Sequence, residues 1–225
     1  MKTRLISPRF ALALVAVACL ACTSGSGDDG GNTIGGDPNV PLSQVGNQID
    51  VGTLVVGTGS FDLADQMIVT QNVSGVATYH INATIPNSPK VQALLALIPA
   101  TYKDATGKVN VDLKMKVTTE GMQDYFNKDG AAFTLVKYDA KVGDVYTLTK
   151  SDGTKITRTV TQVSTTDDFY YSGLLIKTIT VEQDSRIPGV SKIVMKINHK
   201  FGIVYAELQM EDGSKIYSYL YSTNT

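Results

Sequence analysis

Cysteine is nearly absent from this chain: there are two, Cys19 and Cys22, and none follows. A disulfide framework or a thiolate metal site is thereby excluded from everything after residue 22. Whatever folds there must be stabilised by its core alone, which is feasible because a domain of about 180 residues buries roughly 70% of its unfolded surface. Histidine is as scarce, with only His80 and His199, so a two-histidine metal centre would need both to converge with a carboxylate. His80 falls on the polar face of a strand pattern and His199 where a strand turns; solvated or turn-packing roles are expected for both. A basic excess is missing too. From residue 45 onward seventeen Lys and Arg face eighteen Asp and Glu, without the positive footprint that nucleic-acid binding requires. No Gly-x-Ser-x-Gly elbow occurs, and Gly57-Thr58-Gly59-Ser60 lacks both that spacing and a phosphate-loop lysine. The adjacent pairs Asp167-Asp168 and Glu211-Asp212 could suggest glycosidase chemistry. Neighbours on a strand point to opposite faces, however, so loop solvation is the expected role. No catalytic residue, metal or cofactor is expected, and a carboxylate-based hydrolase ranks third among the functional readings.

What is present begins at the N-terminus. Lys2, Arg4 and Arg9 form a positive region, and Phe10 to Leu20 form an apolar run ending in small residues, the pattern of a secretory signal. The run is about 11 residues, against the ~20 that a helix needs to cross a bilayer core. In Ala16-Val17-Ala18-Cys19 small residues precede a cysteine; in Cys19-Leu20-Ala21-Cys22 the cysteine sits directly against a polar stretch. Either segment resembles the bacterial lipoprotein signal, in which a cysteine is acylated and becomes the mature N-terminus. The resemblance implies acyl chains on Cys19 or Cys22, the membrane as a partner, and a place in the cell envelope. Leu20 or Thr23 follows the cysteine, not the aspartate associated with inner-membrane retention, so the outer membrane is expected over the inner. From residue 23 to 44 the composition turns to Gly, Ser, Asp and Asn. Such a stretch is expected to stay disordered, as a tether of roughly 25 Å root-mean-square span. Its Asp28-Asp29 lacks the alternating spacing of a calcium loop.

Residues 45–225 read as one domain with no second linker-like break. Val111, Leu113, Met115 and Val117 alternate with Asp112, Lys114, Lys116 and Thr118, which predicts a half-buried strand. The same period of two places Tyr79, Ile81, Ala83 and Ile85 on one face. It recurs at Ile193, Met195 and Ile197, at Val204, Ala206, Leu208 and Met210, and at Ile216 and Leu220. One apolar face per strand implies antiparallel sheet. Asp152-Gly153 and Asp212-Gly213 predict tight hairpins. Helix is scarce, and the best candidate has Ser88 as N-cap and Pro89 at its first position, running through Val91, Leu94, Leu95 and Ile98 to a stop at Pro99. Its apolar residues lie on nearly every side, so it should be enclosed, either as a plug or lid of the sheet's concave face or by a partner. A second short helix is expected near Thr119, turning Met122, Tyr125 and Phe126 to the core.

The expected fold is therefore mostly β: a curved antiparallel sheet or open half-barrel wrapped around one apolar helix. Lys141-Val142-Gly143-Asp144-Val145-Tyr146 and Lys200-Phe201-Gly202-Ile203-Val204 look like strand-entry phrases of the half-barrel domains of periplasmic lipoprotein carriers and their relatives of unknown function. That likeness covers about half of the chain and carries no catalytic signature. For binding, Tyr217, Tyr219 and Tyr221 line one face of the last strand, with Tyr205 on a neighbour, and aromatic rows stack on sugars or grip proteins. With Leu94, Leu95 and Ile98 they form the candidate surface for an apolar, glycan or protein partner. The sequence thus points to a non-enzymatic binding lipoprotein, with a purely structural or surface-exposed lipoprotein as the alternative.

Overall fold

The computed structural model describes residues 32–83, 87–96, 102–103, 105, 108–127, 129–185 and 187–223. Cys19, Cys22, Ile85 and Ile98 lie outside the described residues. The strands are β1 (Gln48–Val56), β2 (Gly59–Val73), β3 (Val76–Ala83), β4 (Val109–Val117), β5 (Gly121–Asp124), β6 (Phe133–Lys137) and β7 (Val145–Thr149). They continue as β8 (Lys155–Val163), β9 (Phe169–Tyr171), β10 (Leu174–Ile176), β11 (Ile179–Asp184), β12 (Val190–Asn198), β13 (Gly202–Met210) and β14 (Lys215–Ser222). Twelve form one antiparallel sheet in the order β6-β5-β4-β3-β2-β1-β14-β13-β12-β11-β8-β7, and β9 and β10 form a separate hairpin. The sheet curls until its two edge strands meet, giving a nearly closed, barrel-like fold.

Alternation builds the barrel as the sequence pattern implies. On β4 the odd residues from Val109 to Val117 are buried, and the even ones face outward. Inside, Leu54, Met67, Ile81, Leu113, Leu135, Met195, Ile216 and Leu220 are fully buried. The outward face carries Asp112, Lys114 and Lys116 beside His80 and Asn82. A barrel with an apolar inside and polar outside is the inverse of a membrane-spanning one.

Where β6 and β7 meet, side chains replace the ladder. Asn32 Nδ2 donates to the Thr147 carbonyl (3.2 Å), and its Oδ1 accepts from the Thr134 amide (3.4 Å). The Lys137 amide donates to the Tyr146 hydroxyl. Arg158 of β8 reaches across the interior, pairing with Asp124 of β5 at 2.6 Å and donating to the Thr134 carbonyl and to Gln183 Oε1. Its guanidinium lies 4.0 Å from the Phe133 ring centre. Both charges are buried, and this many partners is what makes a desolvated pair tolerable.

Several expectations change. The region after Thr119 is strand β5, not helix. Thr118 Oγ1 accepts from the amides of Glu120 and Gly121, closing a tight reversal. A Cβ on Gly121 would lie 2.5 Å from the Val136 carbonyl oxygen, so the close strand approach needs glycine. Met122 and Phe126 are buried all the same. Helix α1 (Pro89–Ala96) begins as expected, with the Ser88 carbonyl accepting from Gln92. The helix has a polar side, however. Val91 and Leu94 enter the core while Gln92, Ala93 and Ala96 are exposed, and Lys90 Nζ reaches Asp212 (2.7 Å) and Ser214 (2.6 Å). The barrel interior is filled by strand side chains. Packing also starts earlier in the chain than composition implies: within the stretch expected to be linker, Ile34 and Leu42 are each 3% exposed. The Leu42 carbonyl accepts from Tyr79 Oη and Asn47 Nδ2, fixing the 3-10 turn Pro41–Ser43 at one barrel mouth.

Because every pairing is antiparallel, the connections divide between two ends. One end, the α1 end, holds α1 and the turns at 57–58, 150–154, 185–189 and 211–214. The other, the hairpin end, holds the turns at 74–75, 118–121, 138–144 and 199–201, the chain from Asp37 to β1, and the β9/β10 hairpin; Asn32 sits further along the seam, towards the α1 end.

Candidate functional site

The tyrosine row converges as its period implies. Tyr205 pairs directly with Tyr219 across β13 and β14, with ring centres 5.3 Å apart and edge-on. Tyr217 lies 5.6 Å from Tyr205 and 6.3 Å from Tyr219. Both strands turn these rings outward, and all four tyrosines are half-buried.

What covers them is the β9/β10 hairpin. Phe169 rests between Tyr205 (6.4 Å) and Tyr219 (6.1 Å), and Tyr171 between Phe201 (4.8 Å) and Tyr221 (5.3 Å). The Tyr171 hydroxyl accepts from the Ser222 amide at the end of β14. Phe169 thus sits at mid-sheet and Tyr171 at the strand ends, so the hairpin points its tip towards the hairpin end. Ser172 (φ 46°) and Gly173 (φ 87°) form that tip, a two-residue turn with both φ angles positive, whose twist suits the flanking strands. With Phe169, Tyr171 and Ile176 committed inward, Tyr170 and its cross-strand partner Leu175 face out. They are 69% and 60% exposed, and Leu174 beside the tip 55%.

Two local features shape the floor under the hairpin. A bulge in β13 lets Ile197 pair with Ile203 while Lys196 pairs with Tyr205. The extra residue, Val204, leaves the interior and joins Tyr171, Ile176 and Phe201, which corrects the expected inward face of Val204, Ala206, Leu208 and Met210. In β1 a Cβ on Gly52 would stand 3.0 Å from the Tyr221 ring, so glycine there makes room for the aromatic.

The charged groups at the site are satisfied by one another. Tyr205 Oη donates to Glu207 Oε2 at 2.5 Å, Gln209 Nε2 donates to Oε1 at 2.8 Å, and Lys215 Nζ lies 3.1 Å from Oε1. Burial pushes the Glu207 carboxyl up, but the hydrogen bonds from Tyr205, Gln209 and Lys215 outweigh it and hold the group below the usual carboxylate range. Burial and the bond to Glu207 raise the Tyr205 phenol. The phenol and the carboxylate are thus held to each other by their hydrogen bond.

The remaining candidates are dispersed. Leu94 is 3% exposed and belongs to the core, not to a surface; Leu95 lies on α1, far along the chain from the tyrosines. His80 Nδ1 lies 2.9 Å from Asp112 Oδ1 across the β3–β4 pair, and His199 meets the Tyr138 ring edge-on. Asp168 accepts from Ser164, and Asp212 caps its own turn through Ser214. Among the described residues no three His, Cys, Asp or Glu side chains converge as metal ligands. A cavity at the hairpin end of the interior, lined among others by Leu42, Met67, Met115 and Met122, measures about 10 Å³, room for about one water.

Sequence reasoning missed Phe201 and the hairpin's role as cover. The available signal was Phe169-Tyr170-Tyr171-Ser172-Gly173, an aromatic run ending in a dipeptide suited to positive φ. No protein-family model, curated protein or solved structure matches this chain.

Proposed function

We propose that this chain is an envelope-anchored lipoprotein whose barrel is a non-enzymatic binding module, and that the β9/β10 hairpin on its tyrosine floor is the working surface. The anchor reading rests on Cys19 and Cys22 behind an apolar run. The surface reading rests on one observation: a hairpin held by four aromatic rings of the sheet presents Tyr170 and Leu175 to solvent. Burying a side chain of that size is worth ~1.5–3 kcal/mol, so contact with a partner has a ready driving force. The tyrosines act as foundation, since their ring faces are taken by each other and by Phe169 and Tyr171. In this reading α1 covers the opposite end of the barrel.

The alternative, a structural lipoprotein without a small-molecule site, draws support from the described cavity at the hairpin end of the interior, which at about 10 Å³ is far below the ~300 Å³ of a small-ligand pocket. The two readings separate in one experiment on the full chain in its own envelope. Cys19→Ser/Cys22→Ser should release the protein from the membrane fraction. Tyr170→Ser/Leu175→Ser should leave melting unchanged and abolish the partner contacts made by the anchored protein. A surface variant that keeps every contact would leave only the structural reading.

A further inference from the structure

The exposed apolar residues are not scattered. Tyr170, Leu174 and Leu175 stand on the hairpin, Val142 and Val145 on the turn into β7, and Val45 and Val73 beside β1 and at the end of β2; each is more than half exposed. All of them lie at the hairpin end. Among the side chains that are described, which leave out those of Leu95, Leu97 and Ile98, no large hydrophobic one at the α1 end is so exposed. That end closes instead on Asp152, Glu211 and Asp212, with Lys90 bridging to the last turn.

We infer that the hairpin end of the barrel is a membrane-docking face that rests on the phospholipid bilayer holding the chain's own lipid anchor. This deepens the proposed function and rests on its anchor. From Cys22 to Asn32 is ten residues and from Cys19 thirteen, at most roughly 36 or 47 Å of extended chain. A domain on so short a leash spends its time within reach of the bilayer surface, and its most apolar end has the most to gain there. The residues fit an interface: an amphipathic tyrosine, branched aliphatics on turn tips, and lysines whose stems run along aromatic rings. Lys196 and Lys200 place their ammonium groups 5.3 Å and 5.2 Å from the Phe169 and Phe201 ring centres, and Lys177 is exposed beside β10. Such side chains cover apolar surface while keeping their charge at headgroup level. Asp144, Asp167 and Asp168 are exposed at the same end. Net charge therefore contributes little, and contact is driven by apolar burial with weak dependence on salt.

The chain has no tryptophan, so a single one reports alone. The test places Leu175→Trp at the hairpin end and Lys155→Trp at the α1 end of the full lipidated chain, in vesicles of phosphatidylethanolamine and phosphatidylglycerol with brominated acyl chains. Trp at 175 should be shifted to the blue and quenched, and Trp at 155 should be neither. In the Cys19→Ser/Cys22→Ser background, Tyr170→Ser/Leu175→Ser should lower vesicle partition by about tenfold or more, nearly equally at low and high salt. Quenching at neither position, or equally at both, overturns the inference. Shielding of position 175 in native envelopes but not in protein-free vesicles also overturns it, in favour of a protein partner. Fractionation of the double cysteine variant tests the anchor separately, so its failure is distinguishable from failure of the docking face.

Discussion

The two ends of this barrel are built from the same strands and treat exposed surface in opposite ways. At the α1 end, the described apolar side chains are withdrawn: Leu94 and Val91 turn into the core, and the turns close on aspartate and serine. At the hairpin end the core is equally well sealed, by Leu42, yet Tyr170, Leu174 and Leu175 are pushed outward on a hairpin that the barrel does not need for closure. A stable fold accounts for the first end. It does not account for the second, and on that difference the proposed working surface rests.

The comparison can be broken most forcefully with one substitution at each end. Leu94→Asp removes a buried leucine and places a charge in the core, and should destabilise the protein by about 4 kcal/mol or more. Leu175→Asp should change stability by less than about 0.5 kcal/mol. Urea unfolding of the two variants checks this, and similar losses would erase the distinction between the ends. Next in size is the Arg158–Asp124 pair near the α1 end of the seam. Arg158→Ala should cost about 3–5 kcal/mol, because the buried Asp124 would lose its opposite charge, and an Arg158→Met/Asp124→Leu double variant should recover much of it.

At the hairpin end the effects are smaller. Gly173→Ala puts a Cβ at φ 87° and should cost about 1–2 kcal/mol, seen as faster amide exchange in β9 and β10 with the barrel strands unchanged. The smallest concerns pH. Glu207 is held below its usual range in the folded protein, so its stabilising contribution is complete above the unfolded pKa and is lost as pH falls through the lower folded value. Glu207→Gln should therefore flatten the acid limb of the stability curve below about pH 4, and it should also soften the alkaline loss above about pH 10, because Glu207 helps to raise the Tyr205 phenol. An unaltered acid limb would remove Glu207 from the account.

The barrel was legible in the sequence where a period of two ran unbroken. Val109 to Val117 alternates without exception, and β4 buries every odd residue. The tyrosine row was legible for the same reason. Legibility failed wherever one residue changed the phase. The bulge at Val204 moved that side chain from the interior to the aromatic cluster, and no single-strand pattern contains the partner strand that imposes the bulge. The short apolar run after Thr119 suits helix or strand alike, and the approach of Gly121 to β6 decided it. Turn chemistry was half legible. Asp152-Gly153 and Asp212-Gly213 are hairpins, but only the glycines take positive φ, and each aspartate caps its turn through its side chain. The turns with two positive φ angles are Ser74-Gly75 and Ser172-Gly173, where serine lacks the usual preference of asparagine or aspartate for that region. The hairpin was obscured for that reason, and the apolar end with it, because its exposed apolar residues come from four separate stretches of chain.

Site-specific photo-crosslinking in native envelopes tests the central claim most directly, with benzoylphenylalanine at position 175 in one sample and at position 155 in another. Crosslinks to phospholipid are expected at 175 and essentially none at 155. Equal crosslinking at both positions, or crosslinking at 155 alone, would contradict it.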